Sequence, residues 1–153
     1  MQGRLTIIRI TIEIVESKDD ESLDLKIRKM DPAILHLVNQ LKMGDESIFG
    51  TQNGKTHKVS IHDIFYFEAV ERRVFIYGET SVYEVSSKLY EIEEKYEGLG
   101  FVRVSKSVIV NVEKMKSIYP TMGKFKMMLT NGEEITVSRQ YIRELKAALG
   151  IEA

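Results

Sequence analysis

Residues 4–15, RLTIIRITIEIV, carry apolar side chains at alternate positions, the period of a strand with one face to cover. The stretch DLKIRK at 24–29 repeats the pattern, and the charged ESKDDES between the two reads as a turn. The period then changes. Asp31-Pro32 supplies an N-cap and a first-turn proline, and Ile34, Leu35, Leu37, Val38 and Leu41 follow at helical spacing before Gly44. Residues 1–45 are therefore expected to form a small ββα appendage.

From Ser47 the apolar positions fall into short, closely spaced runs: SIFGTQ, KTHKVS, DIFYFEAV, VFIYGE, SVYEVS, SVIVNV, MKSIYP, KFKMMLT and EEITVS. Asn53-Gly54 and Asn131-Gly132 separate such runs where hairpin turns are needed. Two helical stretches interrupt them. One covers 87–96, with Leu89, Ile92 and Tyr96 on one face; the other covers 139–149, with Ile142, Leu145 and Leu149 on one face and Gly150 beyond. The expectation for 46–153 is a mainly β domain with two short helices. One run breaks its own rule. In FVRVSKSVIVN at 101–111 the even positions are apolar except Lys106, which sits between Ser105 and Ser107 where the next valine belongs.

Composition narrows the function. With 153 residues, 43% hydrophobic and 29% charged, the chain suffices for one compact domain and a small appendage. It has no cysteine, which excludes disulfides, thiolate metal sites and cysteine nucleophiles, and a cytoplasmic location is the simplest expectation. The alternating N-terminus lacks the continuous apolar run of a signal peptide or membrane span, so no membrane insertion is expected. The net charge of −1 is not the basic total usual for nucleic-acid binders, but the charge is unevenly spread. Positions 99–149 hold nine Lys or Arg against four Glu, and positions 79–97 hold six Glu against two Lys. That segregation is compatible with one anion-facing surface on an otherwise acidic body.

Catalytic chemistry finds little support. GTQNGKT at 50–56 ends like a phosphate-binding loop, but it has three residues between its glycines instead of four and lies between strands, where no helix N-terminus follows. His57 and His62 have an odd spacing in a β region, which puts them on opposite faces, and no acidic cluster joins them. No nucleophile-elbow or metalloprotease signature occurs. Neither an enzyme, a metal site nor a cofactor is expected.

Three stretches resist a purely structural reading. Glu71-Arg72-Arg73 joins two strands without Gly, Asn or Pro. RVSKS at 103–107 groups Arg103, Ser105, Lys106 and Ser107, all able to donate to phosphate oxygens or base edges. Ser138 reads as an N-cap, which makes Arg139 the first residue of the last helix, where a cation opposes the macrodipole by about 0.3–1 kcal/mol unless an anion is present.

Taken together, DIFYFEAVERRVFIY, YEVSSKLYEIEEKY, FVRVSKSVIVNVEKMKSI and LTNGEEITVSRQYIRELKAAL, in this order between 47 and 150, resemble the LytTR family of bacterial DNA-binding domains. Phe101, Arg103, Ser107, Ile109, Val110 and Asn111 form the most telling part. The resemblance implies an elongated, mainly β fold that lays loops into successive major grooves of duplex DNA and bends it, in a regulator of transcription. It implies base contacts by Arg72 or Arg73, Lys106 and Arg139, and backbone contacts by Arg103, Ser107 and Gln140. On this reading Lys106 belongs to a loop and the strand resumes at Val108, while Asn111 bonds neighbouring backbone. Most relatives place this domain behind a phosphorylated receiver; the ββα piece is too short for one, so control by aspartyl phosphorylation in cis is not expected. Its strands could pair with a second copy, which makes a homodimer or a partner protein the expected assembly. The alternative is a protein-interaction or ligand-sensing β module that has lost DNA binding.

Overall fold

The computed structural model describes residues 9–44 and 46–151. Ten strands and three α-helices follow one another as α1 (Pro32–Met43), β1 (Ser47–Gln52), β2 (Lys55–Ser60), β3 (Tyr66–Val70), β4 (Arg73–Tyr77), β5 (Val82–Val85), α2 (Leu89–Lys95), β6 (Phe101–Arg103), β7 (Val108–Asn111), β8 (Met115–Thr121), β9 (Lys124–Leu129), β10 (Glu134–Val137) and α3 (Ile142–Leu149). Seven strands form an antiparallel sheet in the order β2-β1-β5-β4-β3-β7-β6, and β10-β9-β8 form a second antiparallel sheet. The mainly β expectation holds.

Alternation along β3 and β7 explains how two cores share one sheet. Phe67 and Ile109 point into a core with Ile48, Ile64, Ile76, Ile92, Tyr96 and Phe101, which α2 closes. Their neighbours Tyr66, Val108 and Val110 enter a second core with Met127, Leu129, Val137, Leu145 and Leu149, built by the smaller sheet and α3. All four residues of β7 are buried, so VIVN is apolar on both faces apart from its last residue. Asn111 is satisfied within the fold. Its Nδ2 donates to the Ile64 carbonyl at 2.8 Å, and its Oδ1 accepts from the Glu113 amide at 3.1 Å, as the sequence suggested.

The N-terminal expectation needs correction. Helix α1 forms as read, with Asp31 Oδ1 accepting from Ile34 N at 2.9 Å, Pro32 in the first turn and Gly44 closing it at φ 53°. Residues 9–30 contain no strand, only a 3-10 turn at Lys18–Asp20; the part of the expected first strand at 4–8 lies outside the described residues. The physical reason is coverage. Ile10, Ile12 and Ile14 are 80%, 83% and 94% exposed, and two strands with no third element against their apolar face are marginal in water. Helix α1 does touch the β domain: Asn39 is buried, Gly100 has no room for a side chain beside it, and His36 Nδ1 lies 3.0 Å from Glu113 Oε1.

Helix boundaries also shift. Helix α2 is shorter than the 87–96 pattern, its start tied by Lys88 N donating to Glu91 Oε1 at 2.8 Å. A 3-10 turn at Arg139–Tyr141 precedes α3, and Ser138 makes no side-chain cap. Arg139 therefore stands one turn ahead of α3, and the macrodipole argument for it weakens, because that effect falls off within a turn.

Candidate nucleic-acid interface

Three of the sequence-singled segments meet at one end of the larger sheet. The β3–β4 link has only two residues, Glu71 and Arg72, since Val70 pairs directly with Arg73. Both adopt positive φ, 51° and 67°, the geometry of a two-residue hairpin turn normally built from Asn-Gly. Next to it, the Ala69 amide donates to the Ser107 carbonyl at 2.8 Å, which aligns the 104–107 loop with the β3–β4 tip. The Val104 amide donates to the Val108 carbonyl at 3.0 Å and closes that loop, so Lys106 does lie outside the strands and β7 resumes at Val108. The Ser138 amide then donates to the Val104 carbonyl at 2.9 Å and brings the Arg139–Tyr141 turn alongside.

Each cation within this frame has its own degree of freedom. Arg72 and Lys106 are exposed, and neither forms an ion pair among the described residues. Arg139 donates from Nε to the Gly123 carbonyl at 2.8 Å, which fixes its stem against the β8–β9 turn and leaves both Nη groups. Gln140 is exposed beside it. Ser107 is half-buried and its amide donates to Ser105 Oγ at 3.2 Å.

Two arginines are committed elsewhere. Arg73 belongs to β4 and not to the loop, and it meets Glu84 through Nε at 3.1 Å and Nη2 at 2.5 Å while its guanidinium lies 5.2 Å from the Phe75 ring centroid. The hydrogen bond and charge of Arg73 hold the Glu84 carboxyl below its usual range, and those of Glu84 raise Arg73. Of the alternatives Arg72 or Arg73, the structure thus leaves Arg72 at the tip. Arg103 turns back onto its own loop: Nε donates to the Ser105 carbonyl at 2.8 Å, Nη2 to the Lys106 carbonyl at 2.5 Å, and Nη1 to Glu93 Oε1 at 2.9 Å.

Sequence reading missed two features here. The Met122-Gly123 turn, with φ 48° and 80° and Met122 99% exposed, sits under Arg139; its only sequence signal is a glycine between two strand runs. Glu93 had no signal at all, because its partner Arg103 is ten residues away and on another element. Among the described residues no group of His, Asp and Glu could hold a metal ion, and no helix is long and apolar enough to cross a membrane.

The sequence pattern of the LytTr DNA-binding domain matches residues 54–150, which include all three cationic segments. The chain belongs to this family. A solved LytTr DNA-binding domain, from a putative methyl-accepting/DNA response regulator of Bacillus cereus, superposes with a TM-score of 0.66 at 28% identity and covers 71% of this chain and 100% of that one. The Enterococcus faecalis sensory transduction protein LytT is 27% identical over 89% of this chain. A Staphylococcus aureus protein described as an uncharacterized HTH-type transcriptional regulator, SAB2242, is 24% identical over 94% of this chain. The chain spans 57% of the length of the LytT protein and 99% of the SAB2242 protein. The LytTr membership agrees with the mainly β architecture, and the match omits α1 and everything before it.

Proposed function

We propose that the chain is a cytoplasmic transcriptional regulator that reads duplex DNA sequence-specifically by laying its three cationic segments into successive major grooves. One observation supports this most: backbone hydrogen bonds Ala69–Ser107 and Ser138–Val104 hold the Arg72, Lys106 and Arg139 segments side by side, with three cations uncommitted to carboxylates among the described residues. Arg72, Lys106 and Arg139 take the base edges in this reading, and Ser107 and Gln140 take phosphates. Residues 1–45 serve assembly of a homodimer, with α1 as their attachment to the DNA-binding domain at 46–153. The exposed apolar side chains of Ile10, Ile12 and Ile14 are the kind of surface a second copy would cover.

The test is a fluorescence anisotropy titration of a duplex selected from a random pool, against a scrambled duplex, at several salt concentrations. Lys106→Ala should lose about 1–3 kcal/mol on the selected duplex and less on the scrambled one. Equal losses on both, with the salt slope reduced by about one, would make Lys106 a phosphate contact. Absent or salt-insensitive binding by the native chain would favour an interaction or ligand-sensing module. For the assembly reading, Ile12→Glu should shift sedimentation from dimer to monomer; an unchanged sedimentation profile contradicts it.

A further inference from the structure

We propose that Arg103 and Glu93 form an internal clamp that sets the shape of the Lys106 loop, which makes Glu93 a positioning residue for sequence readout although it lies outside the DNA-facing segments. This rests on the reading that the 104–107 loop faces DNA.

The guanidinium of Arg103 has five N–H donors in a rigid fork, and three go to partners inside the protein. Nε and Nη2 grip two successive carbonyls, those of Ser105 and Lys106, at 2.8 and 2.5 Å. Nη1 meets Glu93 Oε1 at 2.9 Å, and the Arg103 side chain is only 16% exposed. Loop and fork are matched from both sides. The Val104 amide closes the loop on the Val108 carbonyl, the Ser107 amide goes to Ser105 Oγ, and the Ser107 carbonyl accepts from Ala69. The peptide that bears the exposed Lys106 side chain is thereby held by Arg103, and the ion pair with Glu93 fixes the fork. A lysine at 103 would keep the charge but present a single point donor, unable to hold both carbonyls and a carboxylate in one plane.

Glu93 is itself anchored. It belongs to α2, which Leu89, Ile92 and Tyr96 secure in the first core. The clamp therefore ties the loop's conformation to a helix packed in the first core. Charge alone makes the opposite demand. A carboxylate next to a DNA-facing loop repels phosphates, so its removal by simple electrostatics strengthens binding. The clamp predicts that its removal weakens specific binding, since a loosened loop misplaces the reading side chain. The two accounts differ in sign.

The experiment compares the native chain with Glu93→Gln, Arg103→Lys and Lys106→Ala on the wild-type-selected duplex and its scrambled counterpart, across a salt series, with melting temperatures as the folding control. Glu93→Gln should lower affinity for the selected duplex by roughly tenfold and leave the scrambled duplex unchanged or slightly tighter. Arg103→Lys should lose at least as much on the selected duplex with its salt slope intact, because the charge remains. Native-like or tighter binding of the selected duplex by Glu93→Gln would overturn the clamp, as would an Arg103→Lys protein indistinguishable from the native one. Should Arg103→Lys fail to fold, Glu93→Gln, an exposed-side substitution on a helix, decides alone. An effect of Lys106→Ala with none from Glu93→Gln refutes the clamp and spares the DNA-facing loop. No effect of Lys106→Ala on either duplex refutes the DNA-facing loop itself.

Discussion

Two hairpin turns in this molecule have the same backbone and opposite chemistry. Between β1 and β2, Asn53 and Gly54 take φ values of 52° and 75°; between β3 and β4, Glu71 and Arg72 take 51° and 67°. The first turn uses the residues that left-handed geometry favours. The second puts two side chains with Cβ atoms where each is disfavoured by roughly 1–2 kcal/mol. Both turns join adjacent antiparallel strands in one sheet, so the sheet does not explain the difference. Surroundings do. The Glu71-Arg72 tip is bonded to the Lys106 loop through Ala69 and Ser107, among the cations of the proposed interface, while Asn53-Gly54 sits at the sheet's other edge. A local rule broken at a site, and kept away from it, is the expected mark of selection for something other than stability.

The largest effect that would break this comparison comes from charge reversal at the two tips. Arg72→Glu should weaken binding of the selected duplex by roughly a hundredfold, whereas Lys55→Glu, beside Asn53-Gly54, should change it by less than about threefold in the same anisotropy assay. Exchanging the turn chemistry comes next. Glu71→Asn with Arg72→Gly should raise stability by about 1–2 kcal/mol in urea unfolding and still lose DNA affinity, and Gly54→Arg should cost about 1 kcal/mol of stability with DNA binding kept. The smallest effect is expected at Glu84. Glu84→Gln releases Arg73 from its exposed pair, so melting temperature should stay nearly constant while affinity for any duplex rises a few-fold at low salt and converges with the native value at high salt.

How far the sequence spoke depends on which forces decide each part. The strands from 47 to 137 were legible because alternation and turn residues act locally: Asn53-Gly54 announced its hairpin, and the interruption at Lys106 announced a loop that the structure confirms. Residues 9–15 and 24–29 alternate just as cleanly and form no strand. Alternation records what a segment could pair with, and nothing among the described residues covers Ile10, Ile12 or Ile14. At the proposed site, Arg72, Lys106 and Arg139 were visible as cations in the three stretches that resisted a purely structural reading. Arg73, the other candidate at the β3–β4 link, was not separable from Arg72, because a two-residue turn puts one in the loop and the other in β4, paired with Glu84. Arg103 read as a phosphate donor for the same reason: its inward turn depends on Glu93, which only folding brings beside it. Helix α3 began later than its pattern because Arg139–Tyr141 form a 3-10 turn, while the apolar positions Ile142, Leu145 and Leu149 that carried the pattern all lie within α3.

A backbone-amide NMR map during titration with the selected duplex tests the central claim most directly, since it follows all the tips in one experiment. The account predicts that shifts and broadening concentrate at residues 71–73, 104–107 and 138–141 and leave 53–55 and α1 in place. Shifts centred on 53–55 or on α1, with the three cationic segments unmoved, would contradict it.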